Sequence, residues 1–276
     1  PQRPYIPIGR LADALTYPGF KTLAETLHLE VLPIPVTDKG PDLPALDKLC
    51  RLRPVRAVYS MPTLHNPLGW VLDADQREHL VAIARRHDLT IIEDAAAPCR
   101  AEDVPPPLAA MAPERTVYVS GLSKNVATGL RVGFVAAPAP WIAGFERTIM
   151  ATTWNTPGVM TAIATAWLDD GTVSKLEAQK RADAQARQAL AREVLAGFRT
   201  ISHPSSYFIW LPLAEDARAD QIAMALMREQ VSVSPAEPFA ITPHVPHAIR
   251  LALGSVDMVA LRQALVKVKK VVDYYS

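Results

Sequence analysis

The sequence predicts an α/β fold with a mostly parallel central sheet flanked by helices and a smaller α+β domain towards the C-terminus, on three observations. Four short apolar runs, Ala57–Ser60, Leu89–Glu93, Thr116–Ser120 and Arg131–Ala136, end in polar or turn residues, as buried strands do. Between the first two lies Ala74–His87, where Leu80, Val81, Ile83 and Ala84 sit among Gln, Arg, Glu and His in the pattern of an amphipathic helix. After about residue 150 the composition turns to helix-forming Ala, Arg and Gln, then to short strand and helix patterns. Strand, helix, strand in that order argues for right-handed crossovers and hence parallel pairing.

Along the chain, residues 1–19 are rich in Pro and Gly and read as an irregular entry. Met160–Phe198 reads as helical, interrupted near Asp169–Asp170–Gly171. Tyr207–Leu213 reads as a strand, Ala219–Glu229 as a helix, and Val231–Ser234 and Ile249–Leu253 as strands, before an amphipathic helix over Val256–Val272. The expected division is a large domain over 1–158, connecting helices over 159–198 and a small domain over 199–276. A chain of 276 residues can bury a sizeable core, and 49% apolar with 21% charged residues is ordinary for a globular protein. The net charge of +1 gives no electrostatic footprint for nucleic acid or an anionic membrane. The longest apolar stretch, Phe134 to Phe145, carries two prolines and is too short to span a bilayer. Cys50 and Cys99 lie far apart without ligand spacing, so a reduced, cytoplasmic setting is expected. No charged-then-apolar leader opens the chain, whose first residue is Pro1, and neither an internal repeat nor a low-complexity tract is present.

Three segments carry the chemistry. In Ser120-Gly-Leu-Ser-Lys124, a lysine follows a predicted strand in a small-residue loop, and Arg131 comes seven residues later. A lysine that forms a Schiff base needs a desolvated pocket favouring its neutral amine, and an arginine can fork two hydrogen bonds onto a phosphate. Taken alone, the segment reads rather as a surface-loop lysine and a structural arginine. In Ile91-Ile92-Glu93-Asp94 a carboxylate ends a strand, where it faces the crevice that α/β sheets use for ligands. The bland alternative is a helix N-cap. In Pro62-Thr-Leu-His-Asn66-Pro67-Leu-Gly69, the Asn-Pro and Gly are a turn signal, yet Asn66 again lies just past a strand. His79 and His87, and His244 and His247, lack acidic or cysteine partners at ligand spacing and read as surface histidines. Ser205, Ser206 and Ser234 have no nucleophile-elbow context.

Jointly, Ala14–Gly19, Pro62–Gly69, Ile92–Asp94 and Ser123–Phe134 resemble the signature runs of class I/II aminotransferases of the fold-type-I, pyridoxal-phosphate-dependent kind. The resemblance runs from about Leu11 to the C-terminus, taking in Trp167–Gly171, the Trp210 strand and the Arg250 strand. It is closest to the aminotransferase-like domain of MocR-type bacterial transcriptional regulators. By that likeness Lys124 holds pyridoxal 5'-phosphate as a Schiff base and Asp94 pairs with the ring nitrogen. Asn66 bonds the phenolic oxygen, Tyr17 stacks on the ring, and Arg131 with Ser120 and Ser123 holds the phosphate. Arg250 binds the carboxylate of an amino-acid ligand, and the working form is a homodimer.

The sequence also departs from the family. Ala97 stands where a tyrosine is usual, Gly121 where a serine or threonine is common, and no glycine-rich phosphate-binding segment precedes Tyr17. Three functions follow. The first is the effector-sensing part of a MocR-type regulator, binding a small amine or amino acid. The second is a stand-alone aminotransferase, and the third a decayed, cofactor-free scaffold. No helix-turn-helix is recognisable within the chain, so a DNA-binding module is not expected in these residues. A winged-helix segment elsewhere in the full gene would favour the first.

Overall fold

The computed structural model describes residues 9–96, 101 and 103–275. The chain opens with strand β1 (Gly9–Asp13) and helix α1 (Pro18–Thr26), then β2 (Val31–Ile34). A small ribbon of β3 (Val36–Thr37) and β4 (Gly40–Pro41) leads to α2 (Leu43–Leu52), β5 (Val55–Ser60), α3 (Ala74–Arg86) and β6 (Thr90–Ala95). Next come α4 (Leu108–Met111), β7 (Thr116–Gly121), a single helical turn α5 (Leu122–Asn125) and β8 (Gly133–Ala136). Three helices follow: α6 (Ala139–Thr152), α7 (Gly158–Asp169) and α8 (Thr172–Val194). The last part is β9 (Phe208–Pro212), α9 (Ala219–Arg228), β10 (Ser234–Pro235), β11 (Ala248–Ala252) and α10 (Met258–Tyr275).

Six strands form the main sheet in the order β2-β1-β5-β6-β7-β8. Every pairing is parallel except the last, β7 with β8. The mostly parallel α/β sheet expected from the sequence is what the chain builds. The final pair is antiparallel because only α5 and one 3-10 turn, Thr128–Leu130, separate its strands, too little chain for a crossover. β8 also begins two residues later than the run Arg131–Ala136 implies. Arg131 adopts a left-handed backbone, φ 53°, which breaks the extended stretch.

The larger correction lies at the start. Residues 9–13 are not irregular: β1 sits between β2 and β5, with Leu11 and Ala12 fully buried. A five-residue strand beside Pro and Gly carries little pattern of its own, and pairing on both edges supplies what the pattern lacks. Pro18 then occupies the first turn of α1, where a missing N–H costs nothing. Residues 1–8 lie outside the described residues.

Helices pack on the sheet for local reasons visible in the sequence. Asp73 and Gln76 form a reciprocal capping box at the start of α3, whose Leu80, Val81, Ile83 and Ala84 are buried. Gly171, at φ 80°, separates α7 from α8, so the predicted interruption falls where the backbone turns left-handed. The second sheet is antiparallel, in the order β10-β11-β9, and packs with α8, α9 and α10 through Leu190, Leu195, Ile222, Leu226, Leu261 and Leu265. Of the strand expected over Val231–Ser234 only Ser234 pairs, with Arg250, and the ladder runs one residue further to Pro235 opposite Ile249. Trp210 and Phe239, edge to face at 5.9 Å, join the core that contains Leu11 and Leu80, so the second sheet is seated against the first. None of the helices among the described residues is long and apolar enough to cross a membrane.

If β1 is integral to this core, Leu11→Ala should cost about 2–5 kcal/mol, as deletion of a fully buried leucine does. Urea unfolding would measure it against Leu80→Ala as a reference. A loss well below 1 kcal/mol at Leu11 would mean that the strand is peripheral.

Candidate functional site

The C-terminal ends of β5, β6 and β7 lie side by side. The loop after β5 carries Asn66, β6 itself carries Asp94, and α5 after β7 carries Lys124. All three line one open cleft of about 1010 Å³, together with Tyr17, Ser123 and Arg250. Six of the eight residues singled out in the sequence therefore meet in one place, outside the carboxyl ends of a parallel sheet where such sheets bind ligands.

Asp94 is held by the chain on both oxygens. Oδ2 accepts the Tyr59 hydroxyl at 2.5 Å, and Oδ1 accepts the Ala96 N–H at 3.0 Å. Burial pushes its carboxyl above the ordinary aspartate range, and those two hydrogen bonds with the neighbouring His65 offset only part of that rise. Glu93, one residue earlier, points to the opposite face, is 1% exposed and accepts the Ala109 N–H at 2.9 Å. Strand alternation leaves Asp94, and not Glu93, lining the large cleft.

The Asn66 loop is fastened by groups that the sequence does not reveal. Arg77 of α3 is only 1% exposed and donates to Pro62 O at 3.1 Å, Thr63 Oγ1 at 2.8 Å, Leu72 O at 3.0 Å and Pro106 O at 3.2 Å. Both ends of the loop are thereby tied to one guanidinium, whose charge is favoured by nearby Glu93. His65 is fully buried, accepts the Leu68 N–H on Nδ1 at 3.3 Å and sets Nε2 3.3 Å from Asp13 Oδ2. Its ring lies against Trp70, centroids 4.0 Å apart. Gly69 is left-handed at φ 73°, and a Cβ there would press on the backbone of Ser202–His203. An arginine on an amphipathic helix and a histidine beside a turn look like surface residues in sequence, so neither gave a signal.

Lys124 is exposed to the cleft rather than desolvated, because the cleft above it is open. Ser123 lines the cleft, and Arg131 donates from Nη1 to Ser123 Oγ at 3.3 Å without lining the cleft itself. Ser120, expected beside them, lies outside the cleft lining: its hydroxyl donates to Ala95 O at 3.1 Å, across to the end of β6. Tyr17 stands at the mouth, 41% exposed, with its ring folded against Gly19. Ala97 and Cys99 lie outside the described residues.

Arg250 comes from the second sheet. Its guanidinium sits between the rings of Phe208 and Phe239, 4.4 and 4.9 Å from their centroids. Nη1 donates to Asn66 Oδ1 at 3.2 Å and Nη2 to Ser234 Oγ at 3.4 Å, while buried Nε has no hydrogen-bond partner. Sequence reasoning without the resemblance would place Arg250 in a surface pair. Among the described residues no group of three His, Cys, Asp or Glu could hold a metal ion, and His87 bonds Asp47 at 2.8 Å instead.

The chain is similar to known proteins in both sequence and fold. The family model "Aminotransferase class I and II" matches residues 10–268. An uncharacterised HTH-type transcriptional regulator of Bacillus subtilis, YdeF, is 24% identical over 95% of this chain, which spans 57% of that relative. A 2-aminoadipate transaminase of Thermus thermophilus is 25% identical over 90% of this chain, which spans 65% of it. An archaeal alanine:glyoxylate aminotransferase superposes with a TM-score of 0.91 at 23% identity, covering 98% of this chain and 70% of the other.

The raised carboxyl of Asp94 has a consequence for stability. Its contribution is fully present below the unfolded-state value, near pH 4, and is lost as pH rises through the higher folded value. Asp94→Asn removes that loss, so the variant should gain on the parent between pH 4 and pH 7. Denaturant midpoints across that range would show the gap widening; a gap constant with pH would mean that burial does not dominate at this carboxylate.

Proposed function

We propose, from the premise that this chain belongs to the class I and II aminotransferase family, that it binds pyridoxal phosphate and a small amine or amino acid in this cleft. Pyridoxal phosphate is the cofactor expected of the family and fold. The convergence of Lys124, Asp94, Asn66 and Arg250 on one cleft carries the reading. The donor set fits the group. It offers an amine for a carbonyl, a buried carboxylate for a ring nitrogen, an arginine–serine pair for a phosphate, and a buried Arg250 Nε still without a partner.

When bound, the cofactor supplies an electron sink for charge left on the α-carbon of an amine. Lys124 would hold the cofactor through its amine and would be the group placed to carry a proton there. Asp94 would face the ring nitrogen, where its carboxylate would favour a proton on that nitrogen. Asn66 has its Oδ1 engaged by Arg250, which leaves its NH2 to donate to the phenolic oxygen. Ser123, with Arg131 bonded behind it, would hold the phosphate, and Tyr17 at the cleft mouth would cover a ring face. Arg250, fixed between two phenyl rings, offers Nε to the carboxylate of an amino-acid ligand.

The chain is the effector-sensing part of a MocR-type regulator acting in the cytoplasm, a reading supported by its similarity to HTH-type regulators of which it spans about half. A stand-alone aminotransferase is the second reading, favoured by the similarity to a transaminase. A homodimer is the working form. The unburied apolar side chains Phe134, Val135, Ile149, Met150, Trp154 and Val159, on β8, α6, the connection after it and the start of α7, support a second copy covering that side.

Adding pyridoxal phosphate should produce an absorbance band near the visible edge, and borohydride should fix the pyridoxyl group on Lys124 in peptide mapping. Lys124→Ala should lose the band, and a band that survives removes Lys124 from the role. Fast multiple-turnover transamination of a common amino acid would put the enzyme reading first. Light scattering should give a dimer; a monomer with full cofactor occupancy counts against that assembly.

A further inference from the structure

Tyr59 lies on β5 with 5% exposure, and its ring stacks on Phe20 at 3.9 Å between centroids and 7° between planes. By sequence it is one more apolar-facing strand residue. Its hydroxyl, however, is buried and must be satisfied, and the acceptor it takes is Asp94 Oδ2 at 2.5 Å. Burial, followed by the negative charge of Asp94, pushes the phenol far above its ordinary range, so the group stays a donor at any working pH. Asp94 is itself part-buried on the neighbouring strand, and its other oxygen takes the Ala96 N–H. One donor on each oxygen fixes the carboxylate plane and leaves further lone pairs for the cleft.

We propose that Tyr59 is the positioning residue for Asp94, holding that carboxylate ionised and aimed at the cleft from the side opposite the ligand. The inference rests on the reading that Asp94 serves the cofactor's ring nitrogen. The other charged or titratable groups around this pair are His65, which favours the Asp94 carboxylate, and Asp13 and Tyr17, which act on Tyr59. A hydroxyl donating to a charged acceptor favours the ionised form, so its removal lets the carboxyl take up a proton at higher pH.

Tyr59→Phe tests this, because the ring that stacks on Phe20 is kept and only the hydroxyl is lost. The variant should bind pyridoxal phosphate about tenfold more weakly at neutral pH, the loss expected for one hydrogen bond to a charged group. Its affinity should fall away about one pH unit higher than in the parent, and carbon NMR of the cofactor-free chain should show Asp94 titrating higher by a similar amount. In an Asp94→Asn background, Tyr59→Phe should add nothing to the loss of affinity. If Asp94→Asn weakens binding tenfold or more while Tyr59→Phe leaves both affinity and the Asp94 titration within twofold of the parent, Tyr59 is a packing residue and the proposal fails alone. If Asp94→Asn leaves affinity unchanged, the reading of the cleft fails and takes this proposal with it.

Discussion

The register of three parallel strands governs which side chains meet in the cleft. Ser60 pairs with Glu93, Asp94 with Val119, and Ala95 with Ser120, so β5, β6 and β7 end together at one edge of the sheet. Whatever follows each strand is then delivered to the same cleft, and Asn66, Asp94 and Lys124 follow or end those strands. A slip of one residue in β6 would turn Asp94 away and bring Glu93 to the cleft, because side chains alternate with period two. Hydrogen bonding of backbone to backbone thus decides which carboxylate is available.

The two adjacent acids show what that alternation allows. Glu93, on the far face, shares its surroundings with Arg77, and Arg77 ties down both ends of the loop that carries Asn66. A cation so deeply buried is tolerated because carbonyl oxygens, a hydroxyl and one carboxylate surround it. Asp94, on the near face, has hydrogen bonds enough to remain ordered but too few to cancel its desolvation. Stability is given up at the cleft, and the loops around it are fastened from behind. A functional group held in a poor solvent by a well-satisfied scaffold is the common compromise of binding sites.

The second sheet completes the site and is joined to the first by the segment after β1. Thr16 N donates to Phe239 O at 2.9 Å and Ile241 N to Ala14 O at 3.0 Å, and Leu15 bridges Ala240. Tyr17, next in the chain, is therefore placed by both sheets. Phe239 packs on Trp210 and on Arg250 at once, so the apolar contact that seats the sheets also aligns the guanidinium. Arg250 then reaches back to Asn66 across 184 residues of sequence.

The α/β class, the parallel sheet and the positions of Asn66, Asp94 and Lys124 were legible in the sequence, because apolar runs ending in polar residues report strand ends directly. The resemblance to a known family added Tyr17 and Arg250, whose own patterns say nothing. The strand at residues 9–13 was not legible, since its identity comes from neighbours on both edges and not from its own residues. The orientation of Ser120 was not legible, because its hydroxyl finds the Ala95 carbonyl, a contact that exists only once β6 and β7 are paired. Arg77, His65 and Tyr59 stayed hidden for a related reason. Sequence records which groups can donate or accept, but burial decides which must, and burial is a property of the packed chain.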